Sequence, residues 1–275
     1  MKRKRGWLLL RVACVVFLLG ITLPAIPARA QSFAYVTSSS NTVSKIDTAS
    51  NTVVATIGVG NLPTGVAVTP DGTRVYVAND FDDTVSVIDA ANNTVVATVQ
   101  AGHTPQFVAI TPDGTRAYVT DVSSSVSVID TASNTEVASI AVGDFSFGVA
   151  ITPDGTRAYV TNSRSNSVSV IDTASNSVVA SVAVGNPSFG VAITPDGSRA
   201  YVTNFLTNLV SVIDTASNTL VDTIAVRMRP IGVAITPATC ASSPTRACAM
   251  TRRLHSTQVL IGNLCEWLGK TLRNW

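Results

Sequence analysis

Short valine-rich runs, separated by clusters of Pro, Asp, Asn, Ser and Gly, fill the chain from residue 33 to residue 236. This pattern predicts β-strands joined by tight turns. The stretch beginning at Gly65 shows the unit: Gly65 to Thr69 and Arg74 to Ala78 read as two strands around the turn Pro70-Asp71-Gly72. After the loop Asn79 to Asp83, Thr84 to Asp89 and Thr94 to Val99 read as two more strands around Ala90-Ala91-Asn92-Asn93. Proline presets φ at the first corner of such a turn, and glycine accepts the left-handed conformation that closes it. The strands carry apolar residues on both faces, as in Val75 and Val77 against Tyr76. A sheet with one solvated face would alternate more cleanly, so these sheets are expected to be covered on both sides.

The unit recurs. Thr-Pro-Asp-Gly-Thr/Ser followed by Arg-x-Tyr-Val places tyrosines at Tyr76, Tyr118, Tyr159 and Tyr201, spaced 42, 41 and 42 residues apart. Four short strands per period of about 40 residues predict an all-β fold, a β-propeller of four-stranded antiparallel blades. Four complete units run over about 65–100, 107–142, 148–184 and 190–226. Three strands precede them (33–37, 42–47, 52–57) and one follows (232–236), so a fifth blade is expected by 3+1 closure, which would remove two open sheet edges.

An aspartate ends each third strand, at Asp47, Asp89, Asp130, Asp172 and Asp214. Each precedes a turn whose N–H groups its carboxylate can accept, so a structural role is expected rather than a metal or acid–base array. Counting back through the hairpins sets Arg74, Arg116, Arg157 and Arg199 opposite Asp89, Asp130, Asp172 and Asp214.

Charge and cysteine divide the chain into three. Residues 1–30 read as a signal peptide: Lys2 to Arg5 are basic, Val12 to Leu23 is apolar, and Ala28-Arg29-Ala30 has the small-x-small form of a cleavage site. The expected location is therefore secreted, periplasmic or at the cell surface. Residues 31–237, the repeat domain, hold eight basic and sixteen acidic side chains and no cysteine. Such an acidic surface argues against nucleic acid as a partner. Residues 238–275 hold five basic side chains, one acidic side chain, and Cys240, Cys248 and Cys265, an odd set without zinc-site spacing. This divergent tail has two readings, a frameshifted remnant or a basic amphipathic helix through Leu260, Leu264, Trp267, Leu268 and Leu272, through which alone a membrane contact would be made.

Arg-Ala-Tyr-Val-Thr-Asn at 157–162 and 199–204, with Val-Ser-Val-Ile-Asp-Thr-Ala-Ser-Asn following, resembles the YVTN-type β-propeller repeat over residues 33–237. The resemblance implies an exported bacterial or archaeal surface scaffold and no activity common to all members. Many members have seven blades, more than are counted here.

Two sets of connections are expected on opposite faces. The Thr-Pro-Asp-Gly and Asp-Thr-Ala-Ser-Asn turns repeat nearly unchanged, whereas the loops from second to third strand and between blades vary, as binding loops on a rigid scaffold do. The candidate ligand-binding residues on that variable face are Phe81, Asp82, Asp83, His103, Gln106, Phe145, Arg164, Phe205, Arg227 and Arg229, with a protein or glycan as partner. Phe147 and Phe189, just before Gly-Val-Ala, are expected to fill the channel mouth. No catalytic, metal or cofactor residue is assigned: His103 is the one histidine of the repeat region, and no nucleotide or nucleophile motif occurs. A metal-dependent lactonase-like hydrolase is the enzyme alternative, and the carboxylate-free inner strands weigh against it.

Overall fold

A computed structural model describes residues 32–236. The signal-peptide reading of residues 1–30 and both readings of the tail lie outside the described residues. Five antiparallel sheets follow one another. The first has three strands, β1 (Phe33–Ser38), β2 (Thr42–Asp47) and β3 (Thr52–Gly58). The second comprises β4 (Pro63–Val68), β5 (Arg74–Asn79), β6 (Thr84–Asp89) and β7 (Thr94–Gln100); the third, β8 (Pro105–Ile110), β9 (Arg116–Asp121), β10 (Ser125–Asp130) and β11 (Thr135–Ala141). The fourth comprises β12 (Ser146–Ile151), β13 (Arg157–Asn162), β14 (Ser167–Asp172) and β15 (Ser177–Ala183); the fifth, β16 (Ser188–Ile193), β17 (Arg199–Asn204), β18 (Leu209–Asp214) and β19 (Thr219–Ala225). The fold is the all-β, five-bladed arrangement that the strand count predicts.

Within each blade the chain meanders from inner to outer strand, and a bulge shifts the register between the third and fourth strands, at Val87/Ile88, Val128/Ile129, Val170/Ile171 and Val212/Ile213. An extra residue there raises the local twist, which suits the splayed outer rim of a blade. The repeat turns form as their residues dictate. Asp89 Oδ1 accepts the N–H groups of Ala91 and Asn92 at 3.0 and 2.9 Å, while Asn93 turns left-handed at φ 57°. Both faces of the second, third and fourth blades are covered by their neighbours, and four apolar clusters lie between consecutive blades. The cluster between the third and fourth blades joins Tyr118, Val126, Val128 and Ile140 to Ala158, Val160 and Ile171.

Polar contacts tie each blade to the next. Tyr76 Oη donates to Asn134 Oδ1 at 2.9 Å, Tyr118 to Asn176 at 2.9 Å and Tyr159 to Asn218 at 2.7 Å, each acceptor lying in the third turn of the following blade. The expected arginine–aspartate register is present, with Arg74↔Asp89, Arg116↔Asp130, Arg157↔Asp172 and Arg199↔Asp214 opposed. Arg74 and Arg199 pair with their aspartates. Arg116 instead reaches the next blade, donating to Thr173 O at 2.8 Å and Asn176 Oδ1 at 3.3 Å. Its guanidinium thereby satisfies two acceptors at an interface, where an exposed ion pair would gain little.

The first blade makes the same contact with different residues. Phe33 stands where the other blades have arginine, and Lys45 stands where they have valine. Lys45, buried, donates to Ala90 O at 2.7 Å and to Asn93 Oδ1 at 3.1 Å and lies 4.0 Å over the Phe33 ring. Ala90 and Asn93 are the counterparts of Thr173 and Asn176.

One expected pairing needs correction. Residues 232–236 make no ladder with β1 among the described residues, and the first sheet keeps three strands. The physical reason lies in the step from blade to blade. Thr161 Oγ1 donates to Phe189 O at 2.7 Å, and Thr203 Oγ1 donates to Ile231 O at 2.8 Å, so residue 231 is seated on the fifth blade as the start of a following inner strand. Glycine makes this approach possible: a Cβ on Gly148 would lie 2.4 Å from Phe189 O, and one on Gly190 would lie 2.5 Å from Ile231 O.

Candidate functional site

The antiparallel meander places the second-to-third-strand loops and the interblade linkers at one end of the sheets and the repeat turns at the other, as expected. At the variable end, side chains of one loop fix the backbone of the next. Asn41 Oδ1 accepts Leu62 N–H at 3.1 Å, Asp83 Oδ1 accepts Thr104 N–H at 2.8 Å, and Asn208 Oδ1 accepts Arg229 N–H at 2.9 Å. The donors Leu62, Thr104 and Arg229 are left-handed at φ 48°, 51° and 56°, and Phe145 shares that conformation at 59°. Leu, Thr, Phe and Arg are unfavourable there, and such conformations persist only where surrounding contacts hold them.

The candidate residues assemble into separate groups along this face. Phe81 sits on a single 3-10 turn, Asp80–Asp82, and is 73% exposed. Asp82 is committed to the linker before it, accepting Asn61 N–H and Nδ2 at 2.7 Å each. Asp83 pairs with His103 Nδ1 at 3.0 Å, and the Thr104 N–H bond, followed by His103, holds its carboxyl below the usual range. Gln106 Nε2 donates to Thr104 O at 3.1 Å, which buttresses the same linker.

The two aromatic positions each carry a cation. Arg164 lies 4.8 Å over the Phe145 ring, and Arg229 lies 5.5 Å from the Phe205 ring. Arg227 is exposed beside that second pair in sequence, with no side-chain hydrogen bond to the other candidates. Asp82, Asp83 and Gln106 thus position backbone, while Phe81, Arg164 and Arg229 present their groups to solvent.

Sequence reading missed the extent of the aromatic row. Phe107, Phe147, Phe189 and Phe205 contact in series, with centroids 5.0, 4.9 and 5.4 Å apart and rings tilted or edge-on. Such pairs gain about 0.5–1.5 kcal/mol beyond area burial. Phe107 was overlooked because it occupies the position of Gly148 and Gly190, one residue out of phase with Phe147 and Phe189. Phe147 and Phe189, expected at the channel mouth, pack on each other within this row.

Two clefts lie at the opposite end, between repeat turns. One, of about 560 Å3, is lined by Asp154, Arg157, Tyr159, Asp196 and Thr215; the other, of about 590 Å3, by Phe33, Tyr35, Asp71, Asp89 and Ala90. Their carboxylates are engaged by their own turns. Thr194 Oγ1 and the Ser198 N–H and Oγ hold Asp196 down to about 2, and Asp154 is lowered by the same kind of bonds. Burial pushes the Tyr159 hydroxyl up to about 12. Among the described residues no three His, Cys, Asp or Glu side chains are grouped to hold a metal ion, and no helix is long and apolar enough to cross a membrane.

Five sequential antiparallel blades with a braced loop face define a β-propeller-like protein. Comparison with known protein families finds no match, and no curated protein matches in sequence. Solved structures do match in fold. Hydrazine synthase of Kuenenia stuttgartiensis aligns with TM-score 0.56 and 21% identity over 73% of this chain and 85% of that one. A protein of unknown function from Desulfotomaculum acetoxidans aligns with TM-score 0.66 and 22% identity over 74% of this chain and 69% of that one. At these identities the likeness is one of fold.

Proposed function

We propose that the protein is an exported propeller of the YVTN type that acts as a non-catalytic scaffold, binding a protein or glycan or taking part in cell-surface assembly through its variable-loop face. The observation that carries this reading is the pair of cation–aromatic groups, Arg164 on Phe145 and Arg229 on Phe205, each joining a second-to-third-strand loop to a left-handed linker residue, Phe145 or Arg229. Flat apolar rings with an adjacent guanidinium, held rigid before a partner arrives, lose little conformational entropy on binding. The acidic side chains nearby serve the loops themselves, as Asp82 and Asp83 do.

Purified protein should be applied to glycan arrays and to cell-wall and surface-protein preparations, alongside Phe81→Ala, Arg164→Ala and Arg229→Ala. Binding lost in these variants at unchanged melting temperature supports the loop face. Binding untouched by all three removes it from the function. Metal-dependent turnover of lactones would replace the scaffold reading with the hydrolase one.

A further inference from the structure

The four interfaces between consecutive blades share one design, and the two ends of the array expose its two halves. On the trailing side of each interior interface lies an outer-strand residue, Ile57, Val99, Ile140 or Val182, no more than 6% exposed, and in the second to fourth blades a fully buried tyrosine. In the fifth blade the corresponding Ile224 is 42% exposed, and Tyr201, half-buried, has no turn asparagine against its hydroxyl. On the leading side, Val77, Val119, Val160 and Val202 are fully buried, whereas their counterpart Val36 in the first blade is 49% exposed. Ala34 is exposed as well, and the left-handed Asn51 at φ 55° stands ready in the turn that would receive a tyrosine.

The strand inventory matches in the same way. The first blade lacks an inner strand and leaves the edge of β1 unpaired within its sheet, while residues 231–236 lie where the inner strand of a sixth blade would begin. By the register of β16 with β17, in which Val191 opposes Val202 and Ile193 opposes Ala200, Val233 would oppose Val36 and Ile235 would oppose Ala34.

We propose that the chain associates head to tail with a second copy of itself, the first blade of one copy seating on the fifth blade of another and taking residues 232–236 of that copy as its missing inner strand. The occupant is fixed by continuity with the interior interfaces: what covers this face four times within the chain is the leading face of a blade ending in an Asp-Thr/Ala-Ala-Ser/Asn-Asn turn. Such a contact is heterologous, so it closes a ring or propagates. It is separate from the loop-face reading, because it uses none of the candidate ligand residues.

The test is the association state of the full chain by sedimentation and light scattering, together with two variants at positions exposed in this structure. Wild type is expected to form concentration-dependent oligomers. Val36→Asp and Ile224→Asp should each be monomeric alone. Mixed, they should form a one-to-one complex, since each retains the face that the other has lost. A wild-type chain that stays monomeric, or two variants that fail to combine, overturns the proposal. So does a disulfide between Ala34→Cys and Ile235→Cys that forms within one chain, because that would show the same pairing made in cis.

Discussion

Lys45 shows how one interface can be written with two different side chains. Its ammonium serves Ala90 O and Asn93 Oδ1, the counterparts of the acceptors that Arg116 serves two interfaces later, Thr173 O and Asn176 Oδ1. Lys45→Val, which installs the residue of the other blades, should therefore destabilise by about 1–3 kcal/mol, because two acceptors at an interface lose a charged donor. Adding Phe33→Arg should recover much of that loss, and urea unfolding of the two variants beside wild type measures both. Tyr118→Phe removes one neutral bond and should cost about 0.5–1.5 kcal/mol by the same measurement. The sequence singles out Lys45 only as the sole lysine of the repeat region. Its purpose was hidden because its partners lie a full period away, on a neighbouring blade, whereas pattern reading reaches only across a hairpin. The same distance concealed the reach of Arg116, although its register opposite Asp130 was legible.

At the level of the strand, Gly148 and Gly190 let the next inner strand approach closely, at a position that Phe107 fills in the third blade. Gly148→Ala would set a Cβ 2.4 Å from the backbone carbonyl Phe189 O and should destabilise by about 1–3 kcal/mol in thermal or chemical unfolding. Gly58→Ala, with no atom within 4 Å of the added carbon, should stay within about 0.5 kcal/mol. The four-strand meander and its turns could be read directly, since Pro, Asp, Asn and Gly act through local backbone preferences. The loop face was legible as a location, and its variable aromatics were correctly placed there. Its internal division was not, because Asp82 and Phe81 are adjacent in sequence yet one braces a linker and the other faces solvent.

For the whole molecule, the repeated carboxylates set a response to acid. Asp71, Asp89, Asp113, Asp130, Asp154, Asp172, Asp196 and Asp214 are all held below 3.8, chiefly by hydroxyl or backbone N–H donors of their own turns. Groups lowered by folding stabilise the native state above their unfolded value and lose that contribution as they protonate. The melting temperature should thus hold down to about pH 4 and fall steeply toward the value near 2 of Asp196; a flat profile across that window would contradict the turn bonding. In the alkaline direction the raised Tyr76 and Tyr159, each near 12, should make stability decline from about pH 10 upward. The tie from each tyrosine to the following blade has an evolutionary consequence. Every donor addresses an acceptor one period onward, so an in-frame recombination that inserts or deletes one unit of 41 or 42 residues leaves all donors matched. Blade number is then free to drift by unequal crossing-over, whereas a change that cuts into a strand breaks the array where it occurs.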